Sequence, residues 1–205
     1  GPGAVRCVYM TNNTTLIGFT ITHGATDTDN NSTYDTTVGG VWCANFTNSV
    51  VSNCVIIANS AFTQTGGASG GTLNNCVIAN NSDAQIAGGA AFSTLNHCLI
   101  TNNYSASGSG GILGNSGTVV PLGGYPPTFA NGCTIAGNWS APGYGAARTT
   151  FLNNCLIVGN QDAGANGCRL YHCTVVSNSI GVLYSAAFDS IIYYNTNGNC
   201  VNAVH

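Results

Sequence analysis

Aligned on the segments VSNCVIIAN, LNNCVIANN, LNHCLITNN, ANGCTIAGN, LNNCLIVGN and LYHCTVVSN, the chain repeats one pattern of apolar and polar positions. Cys54, Cys76, Cys98, Cys133, Cys155 and Cys173 share a common slot, which Phe19 fills before them and Ser190 after them. Two residues past the slot runs an aliphatic column of Ile21, Ile56, Ile78, Ile100, Ile135, Ile157, Val175 and Ile192. Three residues before it runs a second, of Leu16, Val51, Leu73, Leu95, Ala130, Leu152, Leu170 and Ala187. Apolar residues at the slot and two beyond it follow the period of a strand, not the 3.6-residue stripe of a helix. Five past the slot stands asparagine, at Asn59, Asn81, Asn103, Asn138, Asn160, Asn178 and Asn195. Ten before it stands glycine, at Gly66, Gly88, Gly123 and Gly145.

The slot recurs at intervals of 22, 22, 35, 22 and 18 residues from Cys54 to Cys173. A period of this size marks stacked supersecondary units, none of which can bury its apolar face alone. The expected fold is all-β: a right-handed parallel β-helix of about eight rungs of roughly 22 residues, filling 1–205 as a single domain. At ~4.8 Å per rung the rod is roughly 40 Å long. Its strands should be about four or five residues, bounded by Asn and Gly. Stacked asparagines should hydrogen-bond up and down the column. The two 35-residue coils, Phe19 to Cys54 and Cys98 to Cys133, each carry a lateral insertion, the second placed at YSASGSGGILGN and its neighbours. Insertions on one face of a solenoid are the expected place for binding.

Composition narrows the partners. Charged residues are 4% of the chain, with no lysine or glutamate, three arginines (Arg6, Arg148, Arg169) and six aspartates. Nucleic-acid binding needs a cluster of phosphate-neutralising cations, and three dispersed arginines do not make one. No apolar run reaches the ~18 residues of a membrane span. A surface of Asn, Thr, Ser and Gly with many Asn-x-Ser/Thr sequons, among them Asn12, Asn80, Asn103 and Asn138, fits an extracellular or cell-surface location.

The segments AVRCVYMTNNTTLIGFTITHGA and GGVWCANFTNSVVSNCVIIANSA, followed by repeated LNNCVIANNS, resemble right-handed parallel β-helix repeats of large bacterial secreted and cell-surface proteins. They are similar to Verrucomicrobia-type surface repeats and, more distantly, to chlamydial polymorphic outer-membrane protein repeats. The resemblance implies surface display or adhesion and brings no catalytic residues with it.

Candidate chemistry is sparse. The six slot cysteines are expected to form a ladder of small buried thiols, with inter-rung disulfides along the column as the alternative. The cysteines outside it, Cys7, Cys43, Cys168 and Cys200, are disulfide candidates, expected as Cys7–Cys43 and Cys168–Cys200. Asp27, Asp29, Asn31 and Asp35 alternate oxygen ligands as the first part of a calcium loop does. Ser32 and Val38 stand where such a loop needs Gly and Glu. Calcium is the only cofactor the sequence suggests. His172 and Asp189 share the column before the slot, one rung apart, and are the one pair that could act as an imidazole–carboxylate dyad. A lyase or glycoside hydrolase would want clustered cations or carboxylates, and none is evident. The expectation is therefore a non-catalytic structural solenoid, a segment or subunit of a surface protein or fibre. The chain begins and ends in mid-pattern without a polar cap, so its partners would be copies of itself stacked end to end. The alternative is an adhesive module that binds surface glycans through its insertions, using Trp42, Tyr104, Tyr125 and Trp139.

Overall fold

A computed structural model describes residues 4–28, 36–44, 48–115 and 125–204. They form a right-handed parallel β-helix whose strands pair only in parallel and only with the equivalent strand one rung away. Sheet I holds nine strands, from Val8–Met10 and Val41–Cys43 through Ile112–Leu113 to Cys200–Val201. Sheet II holds eight, from Thr15–Ile17 through Phe129–Asn131 and Phe151–Asn153 to Ala186–Phe188. Sheet III also holds eight, from Thr20–Thr22 to Ile191–Tyr193. Sheet IV is short, made of Ser60–Ala61, Ser82–Asp83, Tyr104–Ser105 and Trp139–Ser140. Sheet IV decides rung length: the 22-residue rungs contain it, whereas from Leu156–Val158 onward the chain runs from sheet III to lengthened sheet I strands, Ala163–Asn166 and Ile180–Leu183.

Strands of sheets II and III are three residues long, shorter than expected, because a left-handed residue ends each of them. The residue before the slot has φ near +50° at Asn53, Asn75, His97, Asn154, His172 and Asp189, and positive φ at Gly18 and Gly132. The residue before the Asn column repeats this at His23, Ala58, Asn80, Asn102, Gly137, Gly159, Ser177 and Tyr194. Left-handed backbone costs an ordinary L-residue roughly 1 kcal/mol, so it persists only where the surroundings fix it. Each corner is thus one left-handed residue followed by one buried residue, and the corners into sheets II and III then run into three strand residues.

The middle residue of each strand points inward. Ile56, Ile78, Ile100, Ile135 and Ile157 of sheet III and Val51, Leu73, Leu95, Leu152 and Leu170 of sheet II are wholly buried. Each contributes about 1.5–3 kcal/mol by leaving water. Against them the glycines of sheet I let rungs close up: a Cβ at Gly67 or Gly89 would strike the carbonyl oxygen of Gly89 or Gly111 and crowd Ile78 or Ile100.

The glycine column needs one correction. Gly110, not Gly123, stands in register with Gly88, because Tyr104–Ser105 and Ile112–Leu113 are regular strands. The second insertion therefore enters after Leu113 and rejoins before Phe129, and YSASGSGGILGN belongs to the regular rung. The first insertion is split, entering between Thr22 and Val41 and again between Cys43 and Val50. Its second part and the whole of the second insertion leave the same corner, between sheets I and II.

The asparagine column is the strongest polar element. Asn81 Oδ1 accepts both the backbone N–H of Asn59 (2.9 Å) and its Nδ2 (3.0 Å). Asn81 Nδ2 donates to Asn103 Oδ1 (3.0 Å) and to the Ile56 carbonyl (2.9 Å). The same four-bond unit recurs through Asn103, Asn138, Asn160 and Asn178. At one end Gly24 N–H and the Cys7 thiol donate to Asn59 Oδ1, and at the other Asn199 Oδ1 accepts from Asn195. Each buried amide uses both donors and both acceptor positions. Replacing Asn103 by Ala strands the backbone N–H of Asn81 and takes one of the two acceptors from its Nδ2. We expect Asn103→Ala to lower unfolding free energy by about 3 kcal/mol or more in urea titration, a loss under about 1 kcal/mol being inconsistent with the ladder.

Candidate functional site

Every side chain singled out for chemistry has a place in this frame, and most of them lie in the corners. The six slot cysteines are 1–3% exposed. Each thiol lies 3.3–3.5 Å from the carbonyl two residues earlier. Each also lies 3.2–3.7 Å from the carbonyl that ends the preceding ladder step. In return sulfur meets backbone N–H: Phe19 donates to Cys54 (3.5 Å) and Cys98 to Cys133 (3.4 Å). Ser190 does the same with oxygen, accepting from Cys173 N–H at 3.0 Å and donating to the Phe188 carbonyl at 2.8 Å. The thiol is a weak hydroxyl substitute here, chosen for its apolar bulk. Hydrogen bonding with neighbouring thiols, Cys133 first in both cases, and then burial raise Cys98 and Cys155 above the ordinary thiol value.

The expected disulfides are not formed: all ten cysteines are free thiols. Cys43 pairs in register with Met10, three residues beyond Cys7, and Cys200 pairs with Val182, itself opposite Ala165 rather than Cys168. Cys7 belongs to the end of the Asn ladder. Cys43 is wholly buried, its sulfur so close to Gly71 that an added Cβ there would lie 2.8 Å away, and burial pushes its thiol up to about 11.

Cys168 belongs to a third ladder that the cysteine alignment hid. Five residues before the slot lie Thr14, Ser49, Gly71, Ser93, Thr128, Thr150, Cys168 and Ser185, at the corner between sheets I and II. Ser93 Oγ donates to the Gly70 and Ala91 carbonyls, Thr128 Oγ1 to Leu113, and Ser185 Oγ accepts from Cys168 N–H at 3.0 Å. Left-handed residues precede this column too, at Asn13, Gly70, Phe92, Thr149, Gly167 and Tyr184. Small hydroxyl and thiol residues at a fixed offset were the available signal.

His172 and Asp189 do stand one rung apart, and the reason is the corner. Both occupy left-handed positions (φ 54° and 48°), with exposed side chains. His, Asn, Asp and Gly tolerate that backbone, which explains the polar column without catalysis. Of the calcium candidates, Asp27 is described and half-buried, while Asp29, Asn31 and Asp35 lie outside the described residues. Among the described residues no group of three His, Cys, Asp or Glu side chains could hold a metal. Asp162 caps a turn, accepting from Gly143 and Gly145. Asn103 and Asn138, both candidate glycosylation sequons, are 1% exposed inside the ladder.

The aromatics named for binding are engaged. Trp42 meets the edge of Tyr9 and carries the Arg6 guanidinium 4.5 Å above its ring. Tyr104 and Trp139 meet along sheet IV as a tilted pair at 4.7 Å, and Tyr125 stacks on Phe92 at 4.3 Å. Arg148 and Arg169 also lie over rings, of Tyr144 and Phe151. A different set, Phe129, Phe151, Tyr171 and Phe188, lines the outer face of sheet II. It escaped notice because it sits one residue to either side of the inward column.

One buried group is out of keeping. Asp83 faces inward in sheet IV between Ala61 and Ser105 and is 3% exposed. Its Oδ2 accepts the N–H groups of Gln85 and Ile86, while Oδ1 and the hydroxyl of Ser105 have no hydrogen-bond partner. Burial holds its carboxyl up at about 6, although the loop N–H groups oppose this.

Comparison with known proteins adds no family: no family model, curated protein or solved structure matches the chain.

The raised carboxyl has a signed consequence. Between pH ~4 and ~6 the folded state binds a proton that the unfolded state has released, so stability is greatest below about pH 4 and falls as pH rises to about 6. The shift from 3.8 to about 6 corresponds to a loss of about 3 kcal/mol. Thermal melts across pH 3.5–7.5 should show this fall in the wild type. In Asp83→Asn the fall should be nearly absent, and a parallel fall in both proteins would show that another group carries it.

Proposed function

We propose that the chain is the non-catalytic β-solenoid of an extracellular or cell-surface protein, a stiff rod that spaces or displays what is attached to it. One observation carries this reading: the residue types that usually do chemistry are spent on turning the chain. Cys54, Cys76, Cys98, Cys133, Cys155 and Cys173 donate to corner carbonyls, His172 and Asp189 supply left-handed backbone, and the three arginines lie on aromatic rings. Three polar ladders, one at each corner, hold neighbouring rungs in register along the rod. Such a ladder resists sliding and bending because each step is a buried hydrogen bond with no solvent to replace it.

The surface is polar without being charged, which suits a display rod that must not attract indiscriminate counter-charged partners. The reading also agrees with the likeness of the repeats to bacterial surface proteins.

Antibodies raised against the purified chain test the assignment. Intact, unpermeabilised cells of the source organism, or its culture medium, should carry the antigen. Antigen detectable only after permeabilisation would overturn it.

A further inference from the structure

The outer face of sheet II changes character along the rod. Its first outward column reads Thr15, Val50, Thr72 and Thr94, then Phe129, Phe151 and Arg169. Its second reads Ile17, Ser52, Asn74, Asn96, Asn131 and Asn153, then Tyr171 and Phe188. The outward asparagines begin a ladder of their own: Asn96 Nδ2 donates to Asn74 Oδ1 and Asn131 Nδ2 to Asn96 Oδ1, both at 2.9 Å. The next step breaks. Asn153 lies in register beside Asn131, yet among the described residues Asn131 Oδ1 and Asn153 Nδ2 meet no protein partner, and Asn153 Oδ1 is met only by Asn154 at 3.5 Å.

An open cleft of about 370 Å³ lies at this break, lined by Phe129, Phe151, Asn131, Asn153, Tyr171 and His172. Phe129 and Phe151 stack on each other at 5.1 Å and Tyr171 and Phe188 at 5.0 Å, so the rings stand as two rigid pairs. Phe129 and Tyr171 are each 39% exposed, and Asn153 and His172 are also exposed. An amide oxygen and an amide nitrogen without protein partners, on residues one rung apart, therefore stand between apolar rings. Arg169 lies over the Phe151 ring at 5.7 Å, beside the cleft and not among the residues that line it.

We propose that this cleft binds a neutral saccharide. Asn131 Oδ1 accepts from one sugar hydroxyl and Asn153 Nδ2 donates to its neighbour, while Tyr171 packs the face not stacked on Phe188 against the C–H face of the ring and the edge of Phe151 borders it. A sugar presents the two chemistries the cleft offers, adjacent hydroxyls that both donate and accept and an apolar C–H surface. The volume falls in the range of small-ligand sites of roughly 300–1,000 Å³. An anionic glycan would call for cations placed at the floor, and an extended peptide would call for a free strand edge; the cleft lies on a sheet face between paired strands. The site stands on the rod independently of where that rod is displayed.

The full chain, titrated with neutral oligosaccharides of glucose, mannose, galactose and N-acetylglucosamine and with oligogalacturonate as the anionic probe, decides it. Isothermal calorimetry or nuclear magnetic resonance shifts should show saturable binding of at least one neutral probe. Asn153→Ala and Tyr171→Ala should each weaken it by about tenfold or more, equivalent to about 1.4 kcal/mol. Leu156→Thr, on the outer face of sheet III, should leave affinity unchanged, and circular dichroism should confirm that all three variants keep the wild-type fold. Absence of saturable binding to every neutral probe, binding of oligogalacturonate alone, or neutral-probe affinity that survives both cleft substitutions would overturn the proposal.

Discussion

The backbone N–H at each corner is the group on which the structure depends. A chain that turns within one left-handed residue aims the following N–H along the rod axis, away from its own rung and out of reach of water. A buried N–H without an acceptor costs about 1–3 kcal/mol, and every rung has three corners. At the Asn corner the acceptor comes from the side chain at the same corner of the next rung throughout, and at the other two corners Cys54, Cys133, Ser190, Thr128 and Ser185 supply it in the same way. That requirement selects a short side chain with an acceptor atom, and it explains why Asn, Cys, Ser and Thr fill positions where a packed core would otherwise take Val or Leu. Asparagine serves best because its amide also donates twice, to the next amide and to a carbonyl of the preceding rung, leaving no buried polar atom idle.

From this follows the chain's peculiar neutrality. With ladders as the polar frame, the interior has no use for ion pairs. Asp83 is the exception, tied to loop N–H groups on one oxygen and unpartnered on the other. The arginines lie on rings, where weak hydration of the guanidinium makes stacking favourable. Glycine serves the same economy of space at Gly67 and Gly89, where rungs approach too closely for a Cβ.

Much of this was legible in the amino-acid order because each structural role recurs at a fixed offset. The two aliphatic columns and the Asn column named the inward residues of sheets II and III and the ladder beside them. His172 and Asp189 were legible as one polar column, and the property that column shares is tolerance of positive φ. The readings that failed did so for physical reasons. Cys7, Cys43 and Cys168 were grouped as leftovers of one cysteine column, although they stand at different corners. The Ser/Thr column five before the slot was overlooked because its members differ in size while sharing one hydrogen-bonding role. The second insertion was misplaced because Gly123 falls at the right spacing and Gly110 at the right corner. The outer cleft of sheet II could not be read at all: an interrupted Asn ladder is a matter of geometry, and Asn131 and Asn153 look alike in sequence.

Native-state hydrogen exchange at the corner amides tests the central claim most directly. The backbone N–H groups of Asn59, Asn81, Asn103, Asn138 and Asn160 each end on a side-chain oxygen, outside the regular strand pairing. If the ladders hold the rungs together, these amides exchange as slowly as those of Ile78 and Ile100 in the centre of sheet III, and only through global unfolding. Exchange at the rate of exposed turns, with the strand amides still protected, would contradict the account and leave the aliphatic stack as the sole support of the rod.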